Sequence, residues 1–106
     1  MVGINFIIVH SAKRGVKFEE KLHSYLLKKL NNQGNEYDLL IRLDPYGNRL
    51  FTVQEINELI NICVSLMNKY TKDDWDENRV RKFSKKLLEL CELALEQRKV
   101  IEAIGD

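Results

Sequence analysis

The sequence predicts an α+β domain in which a small sheet of two or three strands is covered by an antiparallel helical hairpin. Two observations lead to this fold class. Short apolar or alternating segments have the pattern of strands, namely residues 4–9, 39–43 and 49–51. Longer segments that repeat apolar residues every three or four positions have the pattern of amphipathic helices, namely residues 17–32, 53–70 and 75–97. The predicted order is therefore strand, helix, strand, short strand, helix, helix.

Length and composition bound the class of protein. The 106 residues suffice for one domain with one hydrophobic core, so we treat residues 1–106 as a single unit. With 44% hydrophobic and 31% charged residues, the chain has the composition of an ordinary soluble domain. Its 17 basic and 16 acidic residues nearly cancel, so no strong field attracts nucleic acid or an anionic membrane. We therefore expect neither as a partner.

The first ten residues have the pattern of a buried strand. Ile4, Phe6 and Ile8 face one side of it while Ile7 and Val9 face the other, so both faces are apolar and the strand should be internal to its sheet. The segment carries no basic leader and no cleavage site, and it is far shorter than the roughly 20 apolar residues that span a bilayer. We expect a cytoplasmic protein.

The middle of the chain is predicted to return to the sheet. The first helix should end at Gly34, which can adopt the left-handed conformation of a helix cap. A half-buried strand at residues 39–43 then enters a turn at residues 44–48, where Pro45 presets the backbone and Asp44 can bond the backbone that follows. If the two long strands are neighbours, the helix between them makes a parallel, right-handed crossover.

The second half of the chain is predicted to form the helical hairpin. Thr52 and Asp74 have the side chains of helix caps, and each is followed three residues later by a glutamate. The last helix should end near Gln97, because Arg98 would otherwise fall in the middle of its apolar face. The tail at residues 100–106 is too short and mixed to assign, although its apolar side chains should dock against the core.

The cysteines and His23 are expected to play structural or solvated roles. Cys63 and Cys91 fall on apolar helix faces, lack the CxxC spacing and have no flanking histidine. We therefore expect buried free thiols in a reducing compartment, not a metal or redox site. His23 lies on the flank of the first helix, where we expect it to face solvent. No cofactor is expected.

A candidate cation-binding loop follows the second predicted strand. Measured against the calcium loop of the EF-hand, Asp44, Asn48 and Glu55 occupy ligand positions. Two residues oppose this interpretation. Tyr46 replaces a ligand, and Arg49 replaces the glycine of the sharp turn and adds a positive charge.

A capped turn explains the same segment without a metal. Thr52 can serve as the helix N-cap, Glu55 as its reciprocal partner, and Phe51 can pack onto Ile56 from just outside the helix. We therefore predict a turn followed by a capped helix, and no metal site.

A basic loop follows the first strand. Lys13, Arg14 and Lys17 are candidates for binding a phosphate or carboxylate, together with the start of the first helix. The loop has no glycine-rich cradle, so a solvated basic loop is the simpler explanation. His10 and Ser11 are adjacent in sequence, which gives no reason to expect a base and a nucleophile to meet.

Four residues are candidates for contacting a protein partner. Aromatic side chains beside charged loops are typical anchors of protein interfaces. Tyr46, Tyr37 and Trp75 have this context, and Arg49 follows the first of them closely. Their alternative role is to line the rim of the core.

Two short motifs carry a resemblance to a known group of proteins. Residues 44–47 (DPYG) are followed by Phe51, and the chain closes with residues 104–106 (IGD). These motifs resemble those of a group of small uncharacterised bacterial proteins with a DPYG-x-x-x-F segment and a final apolar-Gly-Asp. The resemblance covers the middle third of the chain and its tail. It implies no chemistry, because the group has no established activity.

The leading functional hypothesis is a non-enzymatic domain that binds another protein, of the immunity or adaptor type. The alternative is a domain that binds a small ligand or a cation with the loop of residues 44–55. A third hypothesis is an enzyme built around His10 and the basic loop. The sequence is also compatible with a homo-oligomer.

Overall fold

The computed structural model describes residues 3–32 and 34–105 of the chain. Within these ranges the strands are β1 (Gly3–Ile8), β2 (Val16–Glu19), β3 (Asn48–Phe51) and β4 (Ile101–Gly105). The helices are α1 (Glu20–Leu30), α2 (Asp38–Ile41), α3 (Val53–Lys69) and α4 (Trp75–Glu96). The predicted α+β class is confirmed. The predicted count of two or three strands and the predicted order of elements are wrong, because the sheet has four strands.

The sheet is antiparallel, with the strand order β2-β1-β4-β3. β1 is internal, as its two apolar faces predict, because it pairs with β2 on one side and with β4 on the other. Ile4, for example, lies opposite Phe18 of β2 and Gly105 of β4. The first and last strands of the chain are thus neighbours at the centre of the sheet.

The core lies between one face of the sheet and the helices. Phe6, in the middle of β1, is fully buried, and its ring centroid lies 6.4, 6.0 and 6.4 Å from those of Phe18, Phe51 and Phe83. α3 and α4 pack along each other, and α4 contacts β1 and β2 while α3 contacts β3. The predicted helical hairpin therefore covers the sheet. Among the described helices, none combines the length and the hydropathy that crossing a membrane requires.

The strand predicted at residues 39–43 is wrong, because this segment contains the helical turn of α2. Leu40 and Ile41 are both buried although they are adjacent, whereas a strand sends adjacent side chains to opposite faces. The N–H groups of both residues donate to the carbonyl of Tyr37 at 3.0 Å, which closes the turn. The parallel crossover is wrong as well, since both neighbours of β1 are antiparallel to it.

Two strands form where the sequence predicted none. Residues 16–19 were expected to belong partly to the first helix, but they continue the sheet as β2. Val16 and Phe18 alternate there with charged side chains, and the segment pairs with β1. The unassigned tail forms β4, from which Ile101 and Ala103 fill the core. Both strands are too short to be recognised without the neighbour that they pair with.

The end of α4 lies where the apolar pattern predicts it. Gln97 is the C-cap, and Arg98 has a φ of 57°, the left-handed conformation that reverses the chain toward β4. The N–H of Lys99 donates to the carbonyl of Ala94 at 2.9 Å, and that of Arg98 donates to Leu95 at 3.2 Å. These two bonds form a Schellman motif, built here without the usual glycine.

Both helices of the hairpin start with the predicted caps. The Thr52 hydroxyl accepts from the Glu55 N–H at 3.2 Å, and a Glu55 carboxylate oxygen accepts from the Thr52 N–H at 3.0 Å. This is a complete capping box. In α4, the Asp74 carboxylate accepts from the Glu77 N–H at 2.8 Å. The Glu77 carboxylate does not complete a capping box, because it accepts from the backbone N–H of Lys72 at 3.0 Å. The second cap therefore draws the interhelical loop onto the start of α4.

Replacing Thr52 by alanine should lower the free energy of unfolding by about 1 kcal/mol, the usual loss when a capping hydroxyl is removed. The measurement is a denaturant melt, with Thr71→Ala as the control, because Thr71 is an equally exposed threonine in a loop. Equal midpoints for the two variants would contradict the role of Thr52 as the cap.

The two cysteines are buried free thiols in the hairpin. Removal from water raises the pKa of the Cys91 thiol to about 12, with a smaller contribution from the charge of Glu92. The same cause raises the pKa of Cys63 further, and the neighbouring Cys91 adds to the effect. The reactive thiolate is therefore scarce at neutral pH.

We expect neither thiol of the native protein to react with a thiol-specific reagent at about pH 8, because both burial and the raised pKa values suppress the thiolate. Both should react in denaturant. A native protein that reacts as fast as the unfolded one would contradict the placement of Cys63 and Cys91 in the core.

Candidate functional site

The turn at residues 44–47 is closed by its own hydrogen bonds. A carboxylate oxygen of Asp44 accepts from the backbone N–H of Tyr46 at 2.9 Å, and the Asp44 carbonyl accepts from the N–H of Gly47 at 3.2 Å. Pro45 between them has its φ fixed by its ring. The backbone that carries Tyr46 is therefore ordered locally, as the sequence predicts.

The same turn is also fixed from outside, by the end of β4. The N–H of Gly105 donates to the carbonyl of Gly47 at 2.8 Å. A Cβ atom at Gly105 would lie 2.4 Å from the Pro45 carbonyl oxygen and 2.8 Å from that of Gly47, so only glycine fits. The DPYG segment and the terminal apolar-Gly pair are thus in direct contact. Asp106 of the terminal motif lies outside the described residues.

Tyr46 extends from this turn into solvent. It is 74% exposed, and it borders a cavity of about 480 Å³ between the turn and the first half of α1. Both polar and apolar residues line the cavity, namely Glu20, His23, Ser24, Leu27, Ile41, Arg42, Leu43, Pro45 and Tyr46. This combination of a projecting aromatic ring and an adjacent hollow is the candidate functional site.

His23 belongs to this site, and the expectation that it faces solvent is wrong. Only 8% of the residue is exposed, and its ring stacks on that of Phe18 at a centroid distance of 4.7 Å. Its Nε2 lies 2.6 Å from the carbonyl oxygen of Ile41. Because a carbonyl can only accept, Nε2 carries a proton and donates it to Ile41, and in the corresponding tautomer of the imidazole Nδ1 is the acceptor. In the described part of the chain, no hydrogen-bond donor reaches Nδ1.

The sequence contained a signal for His23. It follows Leu22 directly and precedes Leu26 by three positions, so it lies at the edge of the apolar stripe of α1. Its carbonyl partner could not be predicted, because Ile41 was assigned to a strand.

The other partner-binding candidates are dispersed by the fold. Tyr37 is buried, and its hydroxyl bonds the hydroxyl of Ser65 at 2.7 Å, so the expected surface position is wrong. Trp75 is 74% exposed, but the guanidinium of Arg79 covers its ring at 4.9 Å. Trp75 does not line the cavity beside Tyr46.

Arg49 lies on β3 and is paired within the molecule. Its guanidinium forms an ion pair with Glu55 and lies 5.2 Å from the centroid of the Phe51 ring. The side chain is 45% exposed, so Arg49 lies at the surface but is held there by its ion pair with Glu55.

Two of the three candidate cation ligands already have hydrogen-bond partners within the protein. Asp44 bonds the turn backbone, and Glu55 bonds both Thr52 and Arg49. Asn48 lies in β3. In residues 3–32 and 34–105, no cluster of three or more His, Cys, Asp or Glu side chains could hold a metal ion.

The basic loop lies in the hairpin between β1 and β2, not at the start of a helix. Lys13 and Arg14 border a cavity of about 600 Å³ against α4, which Lys86 and the carboxylates of Glu89, Glu92 and Glu96 also line. Those carboxylates oppose the binding of an anion. Lys17 lies in β2, so the expected combination of three basic side chains with the N-terminus of α1 does not form.

His10 and Ser11, the residues of the hypothesised enzyme site, make contacts that hold the loop between β1 and β2. The Ser11 hydroxyl accepts from the N–H of Lys13 at 3.1 Å, and the carbonyl of His10 accepts from the Lys99 ammonium at 2.6 Å. His10 itself has a φ of 60° at the hairpin bend. This loop therefore serves to reverse the chain.

Comparisons with protein-family models, with curated proteins and with solved structures give no match to this chain.

Replacing Gly105 by alanine should lower the free energy of unfolding by about 1–3 kcal/mol, the usual cost of forcing a methyl group into a filled space. The Pro45 carbonyl is backbone, so it cannot move aside without opening the turn. Denaturant melts measure the effect, with Ala12→Ser in the exposed hairpin loop as the control. A loss under about 0.5 kcal/mol, typical of surface sites, would contradict the close approach.

Proposed function

We propose that this chain is a non-enzymatic protein-interaction domain, of the immunity or adaptor type, and that Tyr46 anchors it to another protein. One observation carries the proposal. Tyr46 is 74% exposed, and the backbone of its turn is held by hydrogen bonds to Asp44 within the turn and by the close approach of Gly105 from β4. Tyrosines in such positions are frequent hot spots of protein interfaces.

The turn does not need the aromatic ring for its own conformation. Turn chemistry at this position is met by small polar residues, and the hydrogen bonds of the turn involve the backbone of Tyr46, not its side chain. The ring is also not part of the core. A role in contact with a partner therefore explains the side chain better than a structural one.

Preorganisation adds to the affinity that such a ring can give. Binding usually costs the ordering of loops and side chains at the interface. Here the turn is already ordered, and a tyrosine has few rotatable bonds to restrict. Most of the apolar burial of Tyr46 would then contribute to binding.

The cavity beside Tyr46 suits a partner side chain that ends in a hydrogen-bond donor. Its walls include the apolar Leu27 and Pro45, and His23 offers the free acceptor Nδ1. Glu20 adds negative charge at the rim, whereas the guanidinium of Arg42 bonds Asp38 and Asn31. A lysine or arginine side chain with its apolar stem meets these conditions.

A second candidate function is the binding of a small molecule in the same cavity. Its volume of about 480 Å³ falls within the usual range for ligand pockets, roughly 300–1,000 Å³. This alternative uses the start of the 44–55 loop, through Pro45 and Tyr46, but not its oxygen ligands. A low-molecular-mass fraction that stabilises the protein in thermal melts would favour it.

Replacing Tyr46 by alanine should change the free energy of unfolding by less than about 0.5 kcal/mol, because the ring is exposed. Affinity for the partner should fall at least about tenfold, as expected for a hot spot. The partner would first be isolated from a lysate of the native cell, and its affinity for each variant would then be measured by calorimetry.

Trp75→Ala is the matched control, because Trp75 is equally exposed and lies outside the cavity. Undiminished affinity of the Tyr46→Ala variant would refute the anchor. A stability loss of several kcal/mol would instead place Tyr46 in the core.

A further inference from the structure

His23 is a buried polar residue whose hydrogen-bonding capacity is only half used by the fold. Only 8% of the residue is exposed, its ring stacks on Phe18, and its Nε2 donates to the carbonyl of Ile41. Among the described residues, the fully buried side-chain polar atom without a partner is Ser84 Oγ. Nδ1 of His23 has no partner either, so it must still reach solvent. The cavity that His23 lines beside Tyr46 provides this opening.

Glu20 brings a negative charge to the same cavity. It lies three residues before His23 in α1, and residues at this spacing are neighbours on one helix face, with Cβ atoms about 5–6 Å apart. In residues 3–32 and 34–105, no hydrogen bond or ion pair engages the Glu20 carboxylate. The cavity therefore has two neighbouring acceptors, and one of them is charged.

Arg42 also lines the cavity, but its positive charge is compensated nearby. Its guanidinium donates to the carboxylate of Asp38 at 3.1 Å and to the side-chain oxygen of Asn31 at 3.1 Å. The charge of Glu20 has no such compensation. A cationic ligand is therefore favoured over an anionic one.

The rest of the cavity wall is apolar or aromatic. Leu27, Leu43 and Pro45 line it, and Tyr46 lies at its border. A complementary ligand must therefore carry an apolar stem behind its cationic head. Such a side chain keeps its stem on the apolar surface while its head reaches the acceptors.

We propose that the cavity takes an arginine side chain of the partner protein, whose guanidinium donates to both the Glu20 carboxylate and Nδ1 of His23. This inference rests on the proposed function, because it names the partner side chain that fills the cavity beside the Tyr46 anchor.

The chemistry of the cavity favours arginine over lysine. A guanidinium presents five N–H donors in a rigid plane, so it can serve two separate acceptors at once. It is more weakly hydrated than an ammonium group, so it loses less when it enters a partly apolar space. Its face also stacks on aromatic rings, and the Tyr46 ring borders the cavity. A lysine ammonium is a compact, strongly hydrated point charge without these properties.

The first test compares three small ligands of the intact protein, the N-acetyl methylamides of arginine, lysine and citrulline. Citrulline has the shape of arginine but lacks its charge. Kd is measured from NMR chemical-shift titrations, followed at the backbone amides of residues 20–27 and 41–46. The arginine compound should bind with a Kd of the order of 1 mM, as expected for so small a ligand. The other two should bind at least about fivefold more weakly, because each lacks a charged, planar donor group. Equal affinities, or no binding of the arginine compound, would refute the proposal.

The second test removes each acceptor in turn. Glu20→Gln should weaken the arginine compound about three- to fivefold, since ion pairs of exposed residues contribute modestly. Glu58→Gln is the matched control, because Glu58 is an exposed glutamate outside the cavity. His23→Gln keeps an N–H donor for Ile41 but removes the acceptor, and it should weaken binding roughly tenfold. Undiminished affinity of the Glu20→Gln variant would contradict the proposed contact.

The wild-type ring of His23 gives a measurement that does not depend on whether the His23→Gln variant folds. Its two nitrogen signals in a ¹⁵N NMR spectrum recorded above neutral pH should show a protonated Nε2 and an unprotonated Nδ1. The Nδ1 signal should move when the arginine compound is added. A proton on Nδ1, or an Nδ1 signal that stays in place at saturation, would exclude this nitrogen as the acceptor.

The arginine contact and the Tyr46 anchor can fail separately. If Tyr46→Ala weakens the isolated partner whereas Glu20→Gln does not, the anchor stands and the arginine contact is refuted. If the arginine compound binds as expected but Tyr46→Ala leaves the partner's affinity unchanged, the anchor is refuted and the arginine site stands.

Discussion

The close approach of Gly105 to the turn of residues 44–47 is the contact on which the candidate site depends. This contact connects β4 to the turn that precedes β3. The hydrogen bond between Gly105 and Gly47 continues the pairing of β3 with β4, so it helps to fix the register between these two strands. The same contact leaves no room for a side chain at Gly105. The fold thus holds Tyr46 in position by a backbone constraint, and the tyrosine side chain is left for other contacts.

β4 joins parts of the chain that are distant in sequence. It lies between β1 and β3, and its pairing with β1 connects residues 4–8 with residues 101–105. Such non-local contacts carry a larger loop-closure entropy than local ones. The α3–α4 hairpin, in contrast, is built from contacts between segments that are neighbours in sequence. The sheet therefore depends on long-range pairing, whereas the hairpin depends on local packing.

Local patterns predicted those parts of the fold that depend on local interactions. The bounds of α3 and α4, the Thr52 cap and the end of α4 follow from periodicity and capping chemistry. The sheet was less predictable, because the alternation of residues 39–43 fits one helical turn as well as a strand. The tail becomes a strand only because β1 and β3 offer it partners on both sides. His23 was misplaced for the same reason, since its burial depends on Phe18 and on the carbonyl of Ile41.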